Sequence, residues 1–194
     1  MLKFSQWLKR KPKVIGPFKA KKYDPKTREL ELEGHEIVTL SKDIKETPKV
    51  GFNYAFELEG NTATKLIILV VDIVVLFEEQ ILLVQRGKEP FKDYWCVPGG
   101  HVDPGETFME AALRELKEET DVDIDFLTYV GVFNEKNRDP RAEYVYSYVH
   151  KIQLKEKPNI KAGDDAKNAQ WFPINNLPKL AFDHDKIIKK SLNK

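Results

Sequence analysis

Cysteine, uninterrupted apolar runs and net charge are what this chain lacks. One cysteine, Cys96, occurs among 194 residues, so neither an internal disulfide nor a cysteine-built zinc site can form, as suits a reducing compartment. The longest apolar stretch, 66–77, is broken by Asp72. A membrane-spanning helix needs about 20 apolar residues, so this stretch reads as a buried strand. The N-terminus lacks the apolar core and small-residue cleavage site of a secretory leader. The expectation is a soluble, cytoplasmic protein with no membrane partner. The four histidines show no metal-ligand spacing.

The formal charge is only +1, from 32 Lys+Arg against 31 Asp+Glu, which excludes a generally basic nucleic-acid binder. The charges are nonetheless unevenly placed. Residues 1–26 hold nine Lys/Arg and one acid, Asp24, a net of +8, and the other 168 residues carry −7. A basic N-terminal segment therefore precedes a mildly acidic body. With 41% hydrophobic residues the chain can build a core, and its length suits one domain with a short appendage.

Residues 1–60 read as the basic accessory region and 61–194 as the main domain, with Gly60-Asn61-Thr62 as the boundary loop. Phe4, Trp7 and Leu8 lie at helical spacing among basic residues; a short amphipathic helix and a packed or frayed terminus are the competing readings, since so short a helix is marginal alone. Asp24-Pro25-Lys26-Thr27 is a turn tetrad followed by Leu30 and Leu32 alternating with glutamates, the signature of a hairpin. Beyond residue 65 the pattern predicts strands over 66–77, 81–86, 94–97, 126–133, 144–154 and 170–174. Helices are predicted over 108–120 and 183–192, with a polar loop over 155–168. Interleaved strands and helices predict an α/β (α+β) fold, a mixed β-sheet sandwiched between helices, plus a small β-rich N-terminal region.

The chemistry is concentrated in 100–122. Thr107 and Glu110 have the spacing of a capping box, so a helix begins there. Glu115, Glu118 and Glu119 then fall on one face, while Met109, Ala112, Leu113 and Leu116 form an apolar stripe that docks on the sheet. A solvated acidic face is the ordinary reading of such glutamates. The alternative is a site for hard divalent cations, which take oxygen ligands, neutralise phosphates and lower the pKa of bound water.

Gly100, Glu106 and the run Arg114-Glu115-Leu116-Lys117-Glu118-Glu119-Thr120-Asp121-Val122 resemble the Nudix box, whose family hydrolyses nucleoside diphosphates linked to another moiety. One position departs: the expected glycine near the end of the box is Asp121, which tolerates the left-handed conformation better than most residues. The resemblance implies an α/β/α sandwich and two or more Mg²⁺ (or Mn²⁺) ions. It implies Glu115, Glu118, Glu119 and the Gly100 carbonyl as ligands, with Glu106 and Arg114 bracing the loop and helix. Asp165, in the loop before Trp171, resembles an acidic position that serves some members as proton acceptor; a loop acid is the other reading. Trp95–Val102, Arg138-Asp139-Pro140-Arg141 and Ala181-Phe182-Asp183-His184 resemble the ADP-ribose pyrophosphatase branch.

That resemblance implies a small nucleotide substrate, ADP-ribose cleaved to AMP and ribose 5-phosphate, no specific nucleic acid, and a homodimer. Arg86, Gly99, Gly100, Arg138 and Arg141 are the candidate substrate-binding residues. Nucleoside triphosphates or dinucleotides such as NADH are alternative substrates, and a non-catalytic ADP-ribose sensor is the alternative of another class. His101 and His184 read as local hydrogen-bonders, Cys96 as a small buried hydrophobe, and Trp171 and Phe172 as core.

Overall fold

The computed structural model describes residues 13–33, 37–45, 47–49, 51, 53–59, 62–163 and 166–193. The amphipathic segment around Phe4–Leu8, the Gly60-Asn61 boundary and Asp165 lie outside the described residues. Eleven strands and two helices follow one another among them: β1 (Lys13–Asp24), β2 (Glu29–Leu32), β3 (Val38–Leu40), β4 (Asn53–Glu59), β5 (Thr62–Phe77), β6 (Gln80–Arg86), β7 (Trp95–Cys96), β8 (Gly99–His101), α1 (Phe108–Thr120), β9 (Thr128–Phe133), β10 (Val145–Leu154), β11 (Ala166–Pro173) and α2 (His184–Leu192). Neither helix is long and apolar enough to cross a membrane.

The 16-residue β5 organises the molecule. Its first residues pair with β4 and β3, joining the β1–β4 sheet to the rest of the chain. From Ile68 onward it runs parallel to β10, and antiparallel to β8 through Val70–Asp72. Side chains on a strand alternate between faces, and β5 uses both. Ile67, Leu69, Val71, Ile73 and Val75 pack with Ala111, Ala112 and Leu116 of α1. Val74 and Leu76 pack with Ile187 and Ile188 of α2 on the other side. A strand covered by helices on both faces has to be apolar almost throughout, which accounts for the run that reads as one buried strand. The mixed sheet between two helices is the predicted α+β sandwich.

The N-terminal strands have a core of their own, built on Leu30, Leu40, Tyr54, Phe56 and Leu66. At the β1–β2 turn the Asp24 carboxylate accepts the Lys26 N–H at 2.8 Å, an Asx turn. Arg28 follows with φ +60 and donates to the carbonyls of Leu40, Ser41 and Ile44, tying the hairpin to the next segment.

Three strand starts differ by two residues or more from the sequence expectation. β5 begins at Thr62 rather than 66, because its first residues pair with β3 and β4, so Thr62 is strand and not boundary loop. β11 begins at Ala166 rather than 170, because this edge strand pairs with β6 as far back as Arg86; Lys167, Asn168 and Gln170 are polar because one side of an edge strand faces water. β9 begins at Thr128, leaving Phe126 exposed before it.

Phe56 is fully buried in the N-terminal core, and Phe→Ala in such a site costs about 3–5 kcal/mol. Because β5 belongs to both halves, Phe56→Ala is expected to lower the midpoint of one shared denaturant transition, read by fluorescence and circular dichroism together.

Candidate active site

Helix α1 is held at both ends. Thr107 and Glu110 form the capping box, each side chain accepting the other's backbone N–H. At the far end Asp121 stands in the left-handed conformation, φ +62, and its N–H reaches the Lys117 carbonyl; the aspartate takes the conformation a glycine would supply. Two further end carbonyls find partners in a distant loop: Lys161 N–H donates to Thr120 and Gly163 N–H to Glu119. A Cβ on Gly163 would stand 1.9 Å from the Glu118 carbonyl oxygen, so only glycine permits this docking.

Strand β8 meets the helix where the acids are. The Gly99 N–H donates to the Glu119 carboxylate at 2.9 Å. A Cβ on Gly99 would lie 2.2 Å from the Val71 carbonyl oxygen, and one on Gly100 2.3 Å from the Glu115 carboxyl. The Gly-Gly pair is thus a cradle into which β5 and α1 both press.

The acids do not share one environment. Burial pushes the Glu119 carboxyl up to about 8; repulsion from Glu115 and Asp72 adds to this, while the Gly99 N–H and Arg86 oppose it. Burial also raises Glu115, against the pull of Arg114. The Glu118 side chain is 60% exposed. Arg114 is the hub beneath them. It grips Glu106 through two bonds of 2.7 and 2.9 Å, reaches Glu115 at 2.8 Å and Glu118 at 3.2 Å, and donates to the His101 carbonyl. The Arg114 pairing holds Glu106 below the usual carboxylate range, and a bidentate fork of this kind fixes direction as well as charge.

With the side chains so arranged, no three His, Cys, Asp or Glu side chains converge as a preformed metal cluster among the described residues; Glu118 is turned to Arg114. The donors that could hold a cation are all oxygen: Glu115, Glu118, Glu119 and the Gly100 backbone. The Cβ-free cradle and the buried, charge-disfavoured Glu119 both suit a small hard cation.

Gly99, Gly100, Glu115 and Glu119, but not Glu118, line a cleft of about 550 Å³ whose lining also includes Asp72, Arg86, Arg138, Asp139, Arg141 and Phe182. The three arginines differ. Arg86 donates Nε to the Pro90 carbonyl at 2.8 Å. Arg141 engages Asp139 through Nε and Nη2 and is 46% exposed. Arg138 is 4% exposed, bonded twice to Asp183, with Asp72 3.6 Å away. Its guanidinium locks the 134–144 loop to the start of α2.

Around Asp72 lies a buried network that the sequence reading missed. Ser147 donates to Asp72. His184, a local hydrogen-bonder as expected, accepts the Val97 N–H on Nδ1 and places Nε2 3.7 Å from Asp72. The available signal was Asp72 itself, the only charge in an apolar run, because a buried carboxylate requires partners. Cys96 is buried, and desolvation raises its thiol beyond the physiological range.

The NUDIX domain profile matches residues 67–191. The chain belongs to the Nudix family. Its box domain is that of a Nudix pyrophosphatase, a hydrolase. The chain is 47% identical over 119 residues to the ADP-ribose pyrophosphatase of Methanocaldococcus jannaschii, 61% of this chain and 69% of that protein. The structure superposes with TM-score 0.60 and 33% identity on a bifunctional NMN adenylyltransferase/ADP ribose pyrophosphatase of Francisella tularensis complexed with AMP and a Mn ion, covering 65% of this chain and 41% of that one. It superposes with TM-score 0.62 and 25% identity on the NUDIX domain of Shewanella oneidensis NrtR complexed with ADP ribose, covering 67% and 89%.

The raised Glu119 carboxyl gives this Nudix domain a pH signature. Its native pKa of about 8 exceeds the unfolded value, so the native state holds the extra proton and stability falls as pH rises through that window. In chelator-treated protein, thermal unfolding between about pH 5 and about pH 9 is expected to show the wild type losing stability relative to Glu119→Gln. Parallel profiles would mean that the Glu119 carboxyl is not desolvated.

Proposed function

We propose that this Nudix domain hydrolyses the pyrophosphate of ADP-ribose to AMP and ribose 5-phosphate, using Mg²⁺ or Mn²⁺. The observation that carries the chemistry is the division of one cleft into an acidic wall, Glu115 and Glu119 against the Gly99-Gly100 cradle, and a basic wall, Arg86 and Arg141. The 47% identity to an ADP-ribose pyrophosphatase supports the choice of substrate.

In this reading Glu115, Glu118, Glu119 and the Gly100 carbonyl hold the cations. When bound, such ions neutralise the diphosphate and make hydroxide available from water near neutral pH. Arg114 keeps Glu115 in place through the bonds it makes while braced on Glu106. The Gly99 N–H keeps Glu119 aimed at the cradle. Because the Glu119 carboxyl is raised to about 8, a cation held there would displace its proton, so affinity would rise as pH increases toward that value. Arg86 and Arg141 bind phosphate oxygens from the other side, offering planar donors suited to that group. Arg138 serves the substrate indirectly, by holding the loop that carries Arg141. We assign Asp165 as a proton acceptor, on the strength of its place two residues after Gly163, which is docked on the end of α1.

A cleavage panel with ADP-ribose, NADH and nucleoside triphosphates tests this reading. ADP-ribose is expected to give the highest kcat/KM, activity to vanish with EDTA and return with Mg²⁺, and kcat to fall about 10²–10³-fold in Glu119→Gln, the size of loss when a group stabilising transition-state charge is removed. Asp165→Asn is expected to lower kcat with KM little changed. Tight ADP-ribose binding without AMP release would show a sensor instead, and preference for NADH or a triphosphate would reassign the substrate.

A further inference from the structure

Phe182 holds a backbone conformation unusual for a bulky residue, φ +52. Left-handed geometry at a bulky non-glycine residue is strained and persists where the surroundings over-determine it. The ring packs against the apolar cluster of Val84, Cys96 and Ala181, and it also meets charge. The Arg86 guanidinium carbon lies 4.7 Å from the ring centroid and that of Arg141 5.4 Å. Phe91, itself at φ +61, packs edge-on against the ring at 4.9 Å, and His184 lies 5.5 Å away. Phe182, Arg86 and Arg141 all line the cleft.

Two guanidiniums in one place repel each other, and both face a wall carrying Glu115 and Glu119. Left untethered, long arginine side chains would fall onto those carboxylates and close the cleft to an anion. Each has a polar tether on its own side, the Pro90 carbonyl for Arg86 and Asp139 for Arg141. The ring of Phe182 is a contact they share. An aromatic face attracts cations through its quadrupole, so a single ring can hold two like charges near one another without neutralising either. Asp139 already pairs with Arg141; the ring is a group that also reaches Arg86, and an aliphatic side chain would attract neither guanidinium.

We propose that Phe182 is the positioning residue of the anion-binding wall: its ring keeps the Arg86 and Arg141 guanidiniums off the acidic wall and presents them together to a diphosphate. Phe182 touches no reacting atom in this arrangement. The motif Ala181-Phe182-Asp183-His184 then has one task per residue: Phe182 holds the two exposed-side arginines, Asp183 holds Arg138 and its loop, and His184 holds the backbone that leads into the Gly-Gly cradle. The proposal rests on the reading that the cleft takes a diphosphate, and it goes further by saying how this chain recognises that group.

The test is calorimetric titration of the full chain with inorganic pyrophosphate, with and without Mg²⁺, alongside ADP-ribose kinetics. Phe182→Leu is expected to weaken pyrophosphate binding about tenfold, the size of two lost cation–π contacts, and to raise KM by a similar factor with kcat within about twofold. Phe182→Tyr retains the π-face and is expected to keep wild-type affinity. A lower melting temperature in Phe182→Leu with unchanged pyrophosphate affinity would overturn the proposal, because it would mark Phe182 as packing only. Wild-type protein that binds pyrophosphate in neither condition would overturn it too. Should Phe182→Leu fail to fold, the wild type still decides: the arginine Nε–H resonances of Arg86 and Arg141 are expected to shift on pyrophosphate addition, and unmoved resonances refute the assignment. Pyrophosphate binding that depends on Phe182, in a protein that cleaves no nucleotide, would leave this proposal standing and remove only the catalytic reading.

Discussion

Everything in the cleft depends on how closely helix α1 approaches the edge of β8. Two adjacent glycines, free of Cβ, let a three-residue strand lie against β5 on one side and the Glu115 carboxyl on the other. The Gly99 N–H then meets the Glu119 carboxylate, which takes that acid out of water. A Cβ at Gly99 would push β8 off the β5 backbone, and one at Gly100 would displace the Glu115 carboxyl from the cradle.

The remainder of the Nudix domain reads as support for that contact. The capping box sets where α1 begins, Asp121 and the 161–163 loop set where it ends, and Ala111, Ala112 and Leu116 set which face meets the sheet. Arg114 binds acids from the helix and from the loop before it, so the acidic wall has its countercharge built in. Opposite, Arg86 is held by the Pro90 carbonyl, Arg141 by the Asp139 carboxylate, both by an aromatic ring, and the loop by the buried Arg138–Asp183 pair. A buried ion pair contributes little net stability; here it locates a loop. The separation of charge across the cleft is also why the acidic surplus of the body is not spread evenly. Part of it is gathered on one helix face, the proposed cation site.

Most of the fold was legible because β5 and α1 carry strong periodic signals: a run apolar on both faces, and an apolar stripe next to a carboxylate cluster. The α1 boundaries followed from Thr107, Glu110 and Asp121, whose backbone preferences are local. Where the reading stopped short, the cause was pairing at a distance. Nothing near Ala166 announces a strand, since its partner β6 lies about eighty residues earlier, and polar residues on an edge strand look like loop. Arg138 and Arg141 are two residues of one type, three apart, and only the fold tells that one is buried against Asp183 and the other faces the cleft. Phe182 reads as ordinary core until both guanidiniums are seen over its ring. The family was legible in the box because its glycines and charged residues stand at fixed spacing, whereas the proposed choice among nucleotides rests on scattered groups.

The central claim, that the glycine cradle and the α1 carboxylates together make a divalent-cation site, is tested most directly by Mn²⁺ titration of chelator-treated protein followed by electron paramagnetic resonance, comparing wild type with Gly100→Ala. The wild type should bind Mn²⁺, and Gly100→Ala should lose most of that binding while keeping its folded circular dichroism spectrum. Equal Mn²⁺ affinity in the two proteins would contradict the account.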